Sequence, residues 1–283
     1  MSVLNFKPAF WSATVMRTLE DNLVAKKICT SEYTGEIKNA GDRVHFDGLA
    51  DPTIGAYTGA SAMSYEDLVD SDLTLIVDTQ KFYAFNVKDI DAAQANVNLK
   101  NSQIKRAAYG LQKAVDTSVF ALYASAGANA SAITDTTCDE ASIISDISLL
   151  GAYLEENNVP ASRKWIVIPP RIKMLLTLAG IKFSINEGIN GTGGMGYAKE
   201  LGFDIYESNN VYNSGTAAAP VYSIMAGSYN AIGFADQILM TEAFRNQDYF
   251  CDSCRGLYTY GTKVLKPKEL ALATLTFTAP STL

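Results

Sequence analysis

The 283-residue sequence contains a single histidine, His45, and that scarcity removes much of the catalytic repertoire. A Ser-His-Asp or Cys-His arrangement needs an imidazole as its base, and only His45, in a segment that reads as an exposed strand, could supply one. There is no Gly-Lys-Ser/Thr phosphate loop and no Gly-x-Ser-x-Gly nucleophile turn. Cysteine is also sparse: Cys29, Cys138, Cys251 and Cys254 are too scattered for a disulfide framework. Cys251-x-x-Cys254 is half of a zinc site, but no second pair exists and His45 is far upstream. Reduced, partly buried thiols are expected, with no catalytic residue, no cofactor and no metal.

Positive charge is scarce as well. There are 23 Lys and Arg against 30 Asp and Glu, giving a net charge of −7. That balance disfavours a dedicated nucleic-acid binder, because neutralising phosphates takes clustered Lys and Arg. No apolar run approaches the ~18 residues of a membrane span. The start, Met1-Ser2-Val3-Leu4-Asn5-Phe6-Lys7, lacks the charged lead and apolar core of a secretory signal. With 48% hydrophobic residues the chain can still bury a sizeable core, in one large or two ordinary domains.

What is present begins with a helix expected from Pro8 to Lys27, where Asn5 can cap and Pro8 fits the first turn. Trp11, Val15, Leu19 and Leu23 recur every four residues and make one apolar stripe, so this arm helix needs a surface to lie on. Residues 31–82 then read as a long hairpin. Its base strands are Arg43–Phe46 and Leu73–Val77, with apolar residues at alternate positions. Between them lie about 26 residues rich in Gly, Ala, Ser, Asp and Thr, which counts against the strands or for a functional projection. An isolated two-stranded ribbon is marginal in water and leaves its edges open. Cover by a second copy of the chain is the economical explanation.

Charge is unevenly spread. Glu66, Asp67, Asp70, Asp72 and Asp78 follow one another without a basic residue, while Lys100, Lys105, Arg106 and Lys113 crowd a later helix. Complementary patches on neighbouring copies are one reading, and two solvated faces are the other.

Lys81–Val87 alternates as a strand, and a long helix is expected from Asn98 to Ser125 on the spacing of Ile104, Ala108, Leu111, Val115, Val119 and Leu122. Residues 127–137 read as a small-residue linker. Beyond it, Asp139 or Ser142 can cap a helix carrying Ile143, Ile147, Leu150 and Leu154. Trp165–Ile168 reads as a strand buried on both faces, Arg171–Leu178 as helix, and Phe203–Glu207 and Tyr222–Ala226 as strands. Ile238–Ala243, Leu257–Tyr260 and Ala271–Phe277 are expected to join Phe82–Val87 in a sheet beside the long helix. Gly191-x-Gly193-x-x-Gly196 matches a dinucleotide fingerprint, but no strand leads directly into it and the following segment is too short for the required helix.

Several phrases, taken in order, resemble tailed-phage major capsid proteins. They are Pro8-Ala9-Phe10-Trp11, Gly41-Asp42-Arg43-Val44, Tyr65-Glu66-Asp67-Leu68 and Asp89-Ile90-Asp91-x-x-Gln94-Ala95. Val167-Ile168-Pro169-Pro170 and Gly202-Phe203-Asp204-Ile205-Tyr206-x-Ser208-Asn209-Asn210-Val211 come next. Arg255-Gly256-Leu257-Tyr258-x-Tyr260-Gly261-x-Lys263-Val264-x-x-Pro267 closes the series. The resemblance spans nearly the whole chain.

It implies an α+β, HK97-like phage capsid fold. The parts would be an N-terminal arm helix (1–30), an extended β-hairpin loop (31–82), a peripheral domain with a long spine helix and sheet (83–135 and 237–283) and an inserted α/β axial domain (136–236). It further implies self-assembly into an icosahedral shell of hexamers and pentamers enclosing double-stranded DNA, assembled in the host cytoplasm and lodged in the virion. Scaffolding and portal proteins would be partners, DNA would be touched only non-specifically, and no membrane would be involved. Trp11, Leu19, Arg43, Phe46, Tyr57, Tyr65, Asp67 and Arg106 are the expected inter-subunit contacts. Some capsids of this fold crosslink through a hairpin Lys, but residues 47–72 contain none, so a noncovalent grip is expected. The absence of a long segment ahead of the arm helix implies a separate scaffold or a processed chain. The alternatives are an encapsulin-like nanocompartment shell and a nucleotide-binding enzyme using the Gly191 loop.

Overall fold

The 22-residue helix α2 (Leu99–Phe120) is the longest helix described, and the sequence periodicity accounts for it. Ile104, Ala108, Leu111, Val115 and Val119 form its buried stripe, as their spacing predicts. The last turn tightens into a 3-10 segment (Ala121–Ser125), and there Leu122 is only partly buried. The computed structural model describes residues 24–30, 43–49, 54, 70–88, 99–125, 133–160, 163–179, 195–198, 202–246 and 249–279. No helix among the described residues is long and apolar enough to cross a membrane.

The described strands form three sheets. The first is a ribbon of β1 (Arg43–Leu49) and β2 (Asp70–Ile76), antiparallel from Arg43 opposite Ile76 to Leu49 opposite Asp70. The second has the order β3 (Thr79–Lys88), β10 (Cys251–Val264), β9 (Ile232–Arg245), all antiparallel. Tyr83 and Phe85 of β3 pack against the core that holds the α2 stripe, and Tyr258 and Tyr260 of β10 belong to that core. The Tyr258 hydroxyl donates to Asp236 at 2.9 Å, satisfying a polar group that burial would otherwise strand.

The third sheet contains β4 (Ile133–Cys138), β5 (Lys164–Ile168), β6 (Met195–Ala198), β7 (Phe203–Glu207), β8 (Val221–Ser228) and β11 (Leu270–Phe277), in the order β4-β11-β8-β5-β7-β6. Trp165 and Val167 face the α2 cluster. Ile166 and Ile168 point the other way, into a second cluster with α3 (Ile143–Glu156) and α4 (Pro170–Leu178). Every residue of β5 is therefore buried, which explains its unbroken apolar run. The Trp165 indole N–H donates to the Ser228 carbonyl at 2.8 Å.

Three sequence expectations are corrected here. Ala271–Phe277 does not join the sheet of Phe82–Val87: β11 runs antiparallel to β8 and parallel to β4 in the six-stranded sheet. Alternation identifies a strand without identifying its partner. Residues 133–138, expected to be linker, form β4, whose polar residues fall on an edge strand with one partner. Met195–Ala198, which overlaps the glycine-rich stretch read as a loop, is strand β6 paired with β7. Most of the arm helix, the hairpin tip and residues 180–194 lie outside the described residues.

Candidate assembly surfaces

The arm is fixed to the body through α1 (Val24–Ile28), whose Ala25 and Ile28 are completely buried in the α2 core. A carboxylate holds the joint. Asp116 of α2, 1% exposed, accepts the Ala25 backbone N–H at 3.1 Å and the Asn210 side-chain amide at 3.3 Å. One side chain thus ties the arm, the long helix and the segment after β7. Burial pushes the Asp116 carboxyl up to about 6, since desolvation outweighs the two hydrogen bonds that favour its charge. Just after α1, Thr30 exchanges backbone bonds with Ile232 and Phe234, at 2.9 and 3.0 Å, which ties this end of α1 to β9.

Among the described residues, the ribbon is fixed at its base. Leu75 and Val77 are buried with Ala235, and the Lys263 ammonium donates to the Thr74 carbonyl at 2.6 Å. Gly261 passes directly beneath the Ile76 carbonyl, where any Cβ would collide with backbone. No third strand pairs with β1 or β2 among the described residues. Between the two strands in sequence, Ile54 is 95% exposed.

Among the described residues, part of the face of the three-stranded sheet opposite α2 is exposed. Opposite the helix side, Phe82 of β3 is 78% exposed, with Ala84, Asn86 and Arg255 beside it. Arg255 donates twice to Glu242, at 2.8 and 2.5 Å, and lies over the Phe244 ring, bounding a shallow cleft of about 340 Å³. That ion pair is exposed, and its role is to orient side chains rather than to stabilise the fold. At the β9–β10 turn, Tyr249 and Phe250 are exposed as well, so apolar surface continues from Phe244 to the end of the sheet.

Of the contact residues expected from sequence, Arg43 and Phe46 lie in β1, opposite Ile76 and Leu73. Arg106 is exposed on α2, close in sequence to the exposed Lys105, Tyr109 and Lys113. Trp11, Leu19, Tyr57, Tyr65 and Asp67 lie outside the described residues. Sequence reasoning missed Phe82, Phe244 and Phe250. The available signal was an aromatic on the solvent side of a strand whose other side already carries Tyr83 and Phe85. It also missed Asp116, a carboxylate four residues after Gln112 along a buried helix face.

The four cysteines are free and buried, as expected. The glycine fingerprint lacks its helix, because Gly196 sits in a strand. His45 pairs with Thr74 across the ribbon.

No family model matches the chain, and no curated protein matches it. Solved structures do. A chain of Mycobacterium phage Che8 superposes with a TM-score of 0.70 at 24% identity, covering 89% of this chain and 90% of that one. The capsid structure of cyanophage P-SCSP1u gives 0.62 at 14% identity, over 93% of this chain and 88% of the other. The capsid of Ralstonia phage GP4 gives 0.62 at 16%, over 90% and 89%. The chain therefore has the α+β, HK97-like fold of phage capsids across nearly its whole length.

Proposed function

We propose that this chain is the major capsid protein of a tailed phage, a structural and non-enzymatic subunit that self-assembles into an icosahedral shell around double-stranded DNA. The observation that carries this reading is the ribbon: on a fold shared with phage capsids, β1 and β2 pair only with each other among the described residues. A second copy supplies the missing cover. The ribbon lies across a neighbour's three-stranded sheet, and the apolar strip from Phe82 to Phe250 is the surface it meets. The arm helix extends from its Asp116 anchor toward the next subunit.

In this reading β3, α2, β9 and β10 form the peripheral unit, and the six-stranded sheet with α3 and α4 forms the axial unit that meets its copies in hexamers and pentamers. Trp11, Leu19, Arg43, Phe46, Tyr57, Tyr65, Asp67 and Arg106 contribute inter-subunit contacts. Scaffolding and portal proteins act during assembly in the host cytoplasm. The net charge of −7 suits a wall that contains DNA without gripping it. The test is negative-stain microscopy of the purified chain, alone and with neighbouring phage gene products. Closed shells or capsomers are expected. Monomers under every condition would overturn the proposal, and particles filled with a cargo enzyme in place of DNA would replace it with the nanocompartment reading.

A further inference from the structure

Asp135, Cys138 and Asp146 come together where edge strand β4 meets the first turn of α3. One oxygen or sulfur atom from each lies within 4.8 Å of the others. Sequence directs attention to Cys251 and Cys254 instead, but those sit three apart on β10 and so point to opposite faces.

The Asp135 group differs from a solvated acidic patch in three ways. Cys138 is fully buried, and Asp146 is only 8% exposed. The buried Oδ2 of Asp146 receives no hydrogen bond; this side chain faces the Asp135 carboxylate, a second acceptor. Two acceptors facing each other with no donor between them mark a place for a cation or a proton. Asp135, finally, is already oriented. Its Oδ1 accepts the Thr137 backbone N–H at 2.8 Å and its Oδ2 accepts the Ser142 hydroxyl at 2.8 Å. The Ser142 oxygen in turn accepts the Asp139 N–H at 3.2 Å. Outer hydrogen bonds of this kind hold ligating carboxylates in place. Ser142 stands at the N-cap position of α3 yet makes no capping bond of its own, because its hydroxyl is used here.

We propose that Asp135, Cys138 and Asp146 form a binding site for a zinc-like divalent cation that clamps the edge of the six-stranded sheet to α3. A thiolate with two carboxylates suits Zn²⁺ better than Mg²⁺ or Ca²⁺, which prefer all-oxygen shells. The fourth position is open to water on the half-buried Asp135 side. As the metal–sulfur bond forms, the Cys138 proton leaves to solvent. The ion supplies the positive charge that this pair of carboxylates lacks, since no lysine or arginine among the described residues pairs with either.

The test uses the full chain purified without chelator, assayed for metal content, then stripped and titrated with Co²⁺. Equimolar metal is expected, together with a thiolate-to-cobalt charge-transfer band in the near ultraviolet. Cys138→Ser should lose that band, and Asp146→Asn should weaken cobalt binding by about tenfold or more. Wild-type protein that takes up neither zinc nor cobalt in equimolar amount would overturn the site and leave a shared proton between the carboxyls. A charge-transfer band that survives Cys138→Ser would overturn the assignment of the sulfur ligand. The wild-type titration decides the matter even if a variant fails to fold.

Discussion

Strands β5 and β3 belong to the same chain but meet solvent in opposite ways. β5 is buried at every residue, with α2 on one side of its sheet and α3 and α4 on the other. β3 buries or half-buries Tyr83, Phe85 and Val87 and exposes Phe82, Ala84 and Asn86 between them. The β1–β2 ribbon goes further, with no third strand among the described residues and a seat at its base. The molecule thus grades from regions that its own chain covers to regions that it leaves bare, and under the proposed function the bare regions are where another copy would be needed. Breaking the covered part should unfold the subunit, whereas breaking the bare part should leave it folded and unable to assemble.

The largest effect on the subunit is expected at Trp165, which is completely buried between the sheet and α2. Trp165→Ala should cost about 3–5 kcal/mol in chemical denaturation of the unassembled chain, through the cavity and the orphaned Ser228 carbonyl. Asp116 comes next. Its carboxyl is raised from the ordinary range to about 6, so the neutral form is favoured in the fold. Stability from this group is full below pH ~4 and falls as pH rises through ~6, by about 3 kcal/mol for a shift of roughly two units. Asp116→Asn should flatten that decline between pH 4 and 7, and an unchanged slope would remove Asp116 as its source. Gly261→Ala, which pushes a methyl group into the Ile76 carbonyl, should cost about 1–3 kcal/mol and loosen the ribbon base, read as faster amide exchange in β2. The smallest effect on the subunit is expected at Phe82. Phe82→Ser should stay within about 0.5 kcal/mol of the parent yet raise the concentration at which shells form, measured by light scattering.

The same contrast explains what could be read from sequence. Burial on one helix face or both strand faces is written in local spacing, so α2, α3 and β5 were legible from Ile104, Ile147 and Trp165 and their neighbours. Pairing between distant segments is not local. β4 and β11 meet across a separation of about 140 residues, and nothing in Ile133-Thr134-Asp135-Thr136-Thr137-Cys138 announces a strand with one parallel neighbour. The anchor at Asp116 was hidden for a related reason: a buried carboxylate makes sense only once Ala25 and Asn210 are seen beside it. The ribbon was legible because it lacks local support, and its register from Arg43 to Leu49 matches the strand pattern at its base.

The most direct test of dependence on a second copy is removal of residues 47–72, replaced by a two-residue turn, followed by denaturation and electron microscopy of the same sample. A cooperative, parent-like unfolding transition with monomers or open capsomers and no closed shells is the expected result. Closed shells of normal size from the deleted chain would contradict the account.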